Sequence, residues 1–218
     1  MHRALALLVP IVAGCDPAEA PPPDTFRLPW APSVAMQLTQ DCDDSCCGDH
    51  VASDVFAYDW ANGDPFDIVA TRAGTITHLK INSATGCDSS ACVDDANILV
   101  IAHDDGTQST YLHLAGDSLA PDVACGAPVA RGQRLARAGT TGWSTGLHLH
   151  YQVSLAHVGA ATCECGADGR ECDPRVVPWQ SFWVTARFPS VTVTFDEWPE
   201  AARCGDRRIA MPASQNAE

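Results

Sequence analysis

The stretch AGTTGWSTGLHLHYQV, residues 138 to 153, sets His148 and His150 one residue apart in a chain of 218 residues that has only 8 histidines. Side chains at i and i+2 of an extended segment leave the same face, so this pair would project side by side from a strand. Neutral imidazole is a common zinc ligand, and a catalytic zinc site usually has three protein ligands with one position open for water. One histidine of the pair can therefore hold a metal while the other handles a proton beside it. Taken alone, the pattern fits two half-exposed histidines on a solvent face equally well. The cysteines offer a rival set of donors in DCDDSCC (Cys42, Cys46, Cys47) and CECGADGREC (Cys163, Cys165, Cys172). Neither has the paired CxxC spacing of a zinc ribbon or finger.

The start of the chain bears on where such chemistry would take place. MHRALALLVPIVAGC joins a short basic start to an apolar run too short to span a bilayer, then small residues ending at Cys15. This reads as an export signal over residues 1–14. Val12-Ala13-Gly14-Cys15 resembles a bacterial lipobox, which implies cleavage before Cys15 and a lipid anchor on it. The expected location is the cell envelope, with inner and outer membrane left open. Setting Cys15 aside, the remaining 10 of the 11 cysteines are an even number in an exported chain, so disulfides are expected. Cys87 with Cys92, closing the small loop CDSSAC, is the one specific pairing expected. A net charge of −14 excludes nucleic acid, or an anionic bilayer, as a partner held by charge alone.

The elements that must position the histidines are strands. Residues 15–33 are Pro-rich without a period and are expected to form an extended tether. Beyond them come short apolar or alternating runs broken by Gly, Asp and Asn: VFAYDWA, DIVATRAGTITHLKI, NILVIAHDDGTQSTYLHL and GLHLHYQVSLAHV. None carries a sustained helical stripe, so the domain is expected to be mainly β. IAHDDGTQSTYLHL reads as a hairpin turning at Asp105-Gly106. The C-terminal part holds one strand-like run, SVTVTF (190–195). No internal repeat, dinucleotide fingerprint, P-loop or serine-hydrolase elbow is present.

These segments, in this order, resemble the lysostaphin/LytM-type zinc metalloendopeptidases. The motif at 138–153 matches the family's G-x-T-G-x-S-T-G-x-H-x-H, and the likeness extends over roughly residues 45 to 155. It implies an antiparallel β-sheet core of the duplicated hybrid motif type with disulfide-stapled loops, a metalloendopeptidase domain over 34–185 and a C-terminal extension over 186–218. It also implies Zn2+ as cofactor and peptidoglycan as substrate, with other cell-wall enzymes as further candidate partners. Position by position, His150 would be a metal ligand, and His113 and His148 the catalytic histidines. His78, His103 and His157 match no such position and are expected to face solvent from strands.

The remaining ligands implied are a His and an Asp early in the domain. His50 and Asp54 in HVASD have the family's usual H-x-x-x-D spacing, whereas counting back from Ile68-Val69-Ala70 and Gly74 lands on Asp59. Alternation in VFAYDWA puts Phe56, Tyr58 and Trp60 on one face and Ala57, Asp59 and Ala61 on the other, leaving room around Asp59. The choice is His50, Asp59 and His150, with Asp54 the alternative. The cysteine-bearing inserts NSATGCDSSACVDDAN and HVGAATCECGADGRECDP are expected to staple surface loops, the alternative being a part in the groove wall. Some relatives of this type lack ligands and act as non-catalytic activators of cell-wall amidases, or bind the wall polymer. A protein of that kind should lack one of the five residues, and candidates for all five are present.

Overall fold

The computed structural model describes residues 25–31, 34–40, 50, 52–156, 190–191 and 193–196. In chain order the strands are β1 (Thr25–Phe26), β2 (Gln37–Gln40), β3 (Tyr58–Ala61), β4 (Asp67–Val69), β5 (Gly74–Lys80) and β6 (Gly86–Cys87). They continue with β7 (Ile98–Ala102), β8 (Thr107–Leu112), β9 (Pro128–Val129), β10 (Arg134–Arg137), β11 (Gly142–Trp143), β12 (Leu149–Leu155) and β13 (Thr194–Phe195). Two 3-10 turns, Ala52–Asp54 and Ser90–Asp95, are the helical elements among the described residues. The fold is mainly β, as the alternating runs require.

Seven strands form one antiparallel sheet in the order β2-β3-β12-β8-β7-β5-β9. The hairpin expected at Asp105-Gly106 joins β7 to β8. Gly106 takes φ +83, which the turn needs and a side chain would resist, and the His103 N–H donates to Thr107 O at 2.8 Å. One face of the sheet sends Leu149, Tyr151 and Val153 of β12, Tyr111 of β8 and Leu99 and Ile101 of β7 into the main core. The other face is covered as well, since Ile98 and Val100 pack with Ala96 and Leu112 in a second cluster. Burial on both faces is why β7 reads as the unbroken apolar run ILVIA instead of an alternating one. Tyr58 and Trp60 of β3 stack on the core side with ring centroids 5.3 Å apart. Asp59 between them therefore leaves the opposite face.

The tether expected through residue 33 is corrected at its C-terminal end. Phe26, Leu28 and Trp30 are all core residues. The backbone of this stretch runs along β4, with the Arg27 N–H donating to Thr71 O and the Val69 N–H to Pro29 O, each at 3.0 Å. β1 pairs in parallel with β13, which brings Phe195 against Tyr58 and Trp60 at 5.5 and 5.7 Å between ring centroids. Alternate side chains of FRLPW bury large apolar area, and that gain outweighs the tendency of proline to leave the chain extended. Phe195, in the described residues 193–196, belongs to the same core.

Candidate metal centre

Cross-strand register assembles the centre. In the β3–β12 pairing His150 lies directly opposite Asp59, and on its other side it pairs with Leu112, the residue before His113. Directly opposed residues share a face at close range, so three separate segments converge without a loop having to reach over. His50 comes from the segment just before the first 3-10 turn. Its Nε2 lies 3.3 Å from Asp59 Oδ1, while His150 Nδ1 lies 3.0 Å from the same oxygen. Donor atoms of His50, Asp59 and His150 all fall within 4.8 Å of one another.

The donor set fits a divalent cation. Asp59 Oδ1 is buried and has no aligned hydrogen bond, although two imidazole nitrogens stand beside it. Nitrogen lone pairs and a carboxylate oxygen converging in a buried site are the arrangement a bound cation would satisfy. Burial pushes the Asp59 carboxyl up, but the imidazole nitrogens of His150 and His50 close beside it and the nearby charges of His150 and His148 hold it well below the usual carboxylate range. Burial works against protonation of His150, yet the pull of Asp59 is stronger and raises the ring above its ordinary value. Asp54 sits in the 3-10 turn, where its Oδ1 accepts from Ser53 Oγ at 3.0 Å; it lines the same groove but is not among the three convergent donors.

His113 and His148 flank this cluster with ring centroids 4.5 Å apart. His113 Nδ1 is 2.7 Å from Thr141 O. A carbonyl can only accept, so Nδ1 carries the proton and Nε2 carries the lone pair. Burial first, then the neighbouring His148 and His150, take the His113 ring down to about 3, so it is neutral at ordinary pH. Its backbone adopts φ 62, a left-handed conformation that costs a non-glycine residue energy. His148 Nδ1 lies 2.9 Å from Gly146 O, which turns Nε2 toward Asp59 Oδ2 at 3.4 Å.

The model of peptidase family M23 matches residues 55–162. The chain belongs to peptidase family M23. Among solved structures, it is similar to a zinc-containing peptidase from Vibrio cholerae at 26% identity and a TM-score of 0.36, covering 61% of this chain and 35% of that one. The catalytic domain of lysostaphin from Staphylococcus simulans matches at 20% identity with a TM-score of 0.36, covering 63% and 85%. A SpoIIIAH–SpoIIQ complex matches at 18% identity with a TM-score of 0.44, covering 59% and 91%. The chain thus spans about a third of the length of the Vibrio protein.

In the M23 domain a groove of about 770 Å³ opens over the centre. His50, Asp59, His113, His148 and His150 all line it, together with Thr39 and Gln40 of β2. Val93 and Ala96 belong to the insert between β5 and β7 and also line the groove, so this insert is part of the wall and not only a stapled surface loop. The Cys87–Cys92 disulfide closes it as expected. Trp143, 52% exposed on the rim, was not singled out from the sequence, nor were Thr141, Ser144 and Gly146, whose oxygens contact the flanking histidines. All four lie inside the motif that carries the resemblance, which marks their positions but not their tasks. The second insert and His157 lie outside the described residues.

Two other histidines do not face solvent. His78 is buried, because an irregularity in the β5–β7 register between Ile76 and His78 places it opposite Val100 on the covered face, with Thr77 Oγ1 3.1 Å from its Nδ1. His103 is buried on the core side, its Nδ1–H donating to Ala73 O at 2.8 Å and its Nε2 accepting from Ser109 Oγ at 2.7 Å. Ser109 in turn lies 3.1 Å from Thr71 Oγ1 and 3.2 Å from the Tyr151 hydroxyl. The result is a hydroxyl network directly behind β8 and β12. Burial lowers the His103 ring below its ordinary value, so it serves as a neutral link.

Proposed function

We propose that this protein is a zinc-dependent endopeptidase that hydrolyses peptide stems or cross-bridges of bacterial peptidoglycan. The observation that carries the reading is the convergence of His50, Asp59 and His150 in one buried cluster, with His113 and His148 beside it, at the floor of an open groove. A zinc ion held by those three residues supplies Lewis acidity, polarising a peptide carbonyl and lowering the pKa of a water from about 16 to about 7.

The chain's own groups do the rest. His113, neutral and presenting Nε2 as its lone-pair nitrogen, takes the proton of the attacking water. His148, its Nδ1–H held by Gly146 O so that Nε2 faces the centre, stabilises the developing oxyanion when Nε2 carries a proton as well. The proton held on His113 then passes to the departing amine, and no covalent intermediate is needed. Thr39, Gln40 and the exposed Trp143 line the groove where an extended peptide would lie. The proposal includes export and a lipid anchor on Cys15, supported by the lipobox-like Val12-Ala13-Gly14-Cys15, which would hold the enzyme beside the wall polymer.

Mass spectrometry of muropeptides from purified sacculi tests the reading. The protein without residues 1–14 is incubated zinc-loaded, beside a chelated sample and His148→Ala. New free amino and carboxyl ends that form only with zinc-loaded wild type are expected, and they name the bond. Unchanged sacculi from folded, zinc-loaded protein across several wall chemistries would overturn it.

A further inference from the structure

The oxygens that hold His113 and His148 come from one short segment, Thr140–Gly146. Thr141 O accepts from His113 Nδ1, Gly146 O accepts from His148 Nδ1, and Ser144 Oγ lies 3.4 Å from that same nitrogen. Ser144 Oγ also donates to Gly146 O at 2.7 Å and sits 2.9 Å from Thr140 Oγ1, tying the segment together internally.

The outer edge of this segment is held by the stapled insert. β11 pairs in parallel with β6, Gly142 opposite Gly86 and Trp143 opposite Cys87. The Gly142 N–H donates to Thr85 O at 2.9 Å and the Ser144 N–H to Cys87 O at 2.8 Å. At the insert's other end the Asn97 N–H donates to Thr141 Oγ1 at 3.0 Å, and that hydroxyl donates onward to Leu114 O at 2.9 Å. Asn97 is itself clamped, its Nδ2 donating to Leu114 O and Ser83 O, each at 2.9 Å. The contact is close: a Cβ on Gly142 would stand 2.4 Å from Ala96 Cβ, and one on Gly86 would stand 1.9 Å from Thr140 O. A parallel ladder of two residues cannot sustain itself, and the adjoining 3-10 turn has no side-chain cap. The Cys87–Cys92 bridge is what closes the loop and limits its freedom.

We propose that the insert closed by Cys87–Cys92 is the positioning element for His113 and His148, fixing Thr140–Gly146 and through it both rings, while the three convergent donors are set separately by β3, β12 and the segment before the first 3-10 turn. The proposal rests on the assignment of these histidines as the proton-handling pair. Cys87, Cys92, Asn97 and Thr141 are then positioning residues that never touch substrate. The insert thereby couples the shape of the groove wall to the alignment of the chemistry beneath it.

The test compares wild type, the double variant Cys87→Ser with Cys92→Ser, and Thr141→Val, which keeps the disulfide and removes the hydroxyl between Asn97 and Leu114. The His113 Nδ1–H resonance is followed by NMR in the metal-free protein, zinc affinity by chelator competition, and kcat and KM on muropeptides. In the double variant the slowly exchanging Nδ1–H signal should be lost and kcat should fall roughly 10- to 100-fold, with zinc affinity unchanged. Thr141→Val should shift both readouts in the same direction. Retention of the signal and of kcat in the double variant would overturn the proposal. Where that variant loses zinc binding as well, Thr141→Val decides, and an unchanged Nδ1–H signal there is equally fatal. A wild type that shows the NMR behaviour but no hydrolysis refutes the endopeptidase reading while leaving the positioning role standing.

Discussion

Replacing Asp59 by Asn separates the two acids that compete for the centre. Asp59 is opposite His150 across the sheet, and His50 Nε2 and His150 Nδ1 lie 3.3 and 3.0 Å from its Oδ1, whereas Asp54 is engaged by Ser53 in a 3-10 turn. Removing the anionic donor of a three-residue site should weaken zinc at least as much as removing an outer partner of a ligand, roughly 100-fold. Zinc binding to the folded state stabilises it by mass action: at a free concentration 100 times Kd the gain is about 2.7 kcal/mol, and at a concentration equal to Kd only about 0.4 kcal/mol. For a body of this size about 1 kcal/mol moves Tm by roughly 2–4 °C. At one fixed zinc concentration, wild type and Asp54→Asn should therefore melt roughly 5–11 °C higher than in chelator, and Asp59→Asn only about 1–2 °C higher. Differential scanning fluorimetry of the full zinc series measures this. A full zinc-dependent shift in Asp59→Asn, together with a lost one in Asp54→Asn, would show that the convergence at Asp59 is not the metal site.

Three further outcomes follow from packing and burial. His113 and His103 are both held below the value of about 6.5 that they have in the unfolded chain. As pH falls through that value the unfolded state takes protons the folded state refuses, so the metal-free protein should lose stability, for His113 about 1.4 kcal/mol per pH unit down to about 3 with His103 adding a loss of the same sign, and regain it as pH rises above 6.5. His150, raised by Asp59, is protonated in both states below 6.5 and adds no slope there; urea midpoints against pH should thus be flatter for His103→Gln than for wild type. Phe195→Ala empties a core site packed against Tyr58, Trp60 and Tyr151 and should cost about 3–5 kcal/mol, which equilibrium unfolding measures and a passive C-terminal stretch would not show. Gly142→Ala places a side chain at φ +84 against Ala96 and should cost at least about 1–3 kcal/mol of stability by the same assay.

What could be read from the sequence divides according to how far away a residue's partner lies. The β7–β8 hairpin was legible because its turn residues and both strands are contiguous, and the placement of His148 and His150 on one side because alternation is a local property. The face that Asp59 occupies was legible for the same reason, Tyr58 and Trp60 on either side announcing which face was apolar. The union of β1 with β13 was not, since two residues pairing across nearly the whole chain leave no periodic trace, and the prolines around Phe26 mimic a spacer. The burial of His103 was invisible for a related reason: a histidine reads as exposed until Ala73 O and Ser109 Oγ, brought in by other strands, satisfy both ring nitrogens.

The same division explains why Thr141 escaped notice although it lies in the motif that identified the family. Its type says nothing of its task, because the atom that meets His113 is a backbone carbonyl that any residue would provide. Its hydroxyl is spent on Asn97 and Leu114, to hold that carbonyl where it is. A group that orients a histidine ring through its backbone is recognisable only once the path of the chain is known. The chemistry of the centre is therefore written in side-chain types, whereas its alignment is written in the packing of an insert whose sequence, apart from two cysteines, carries no sign of it.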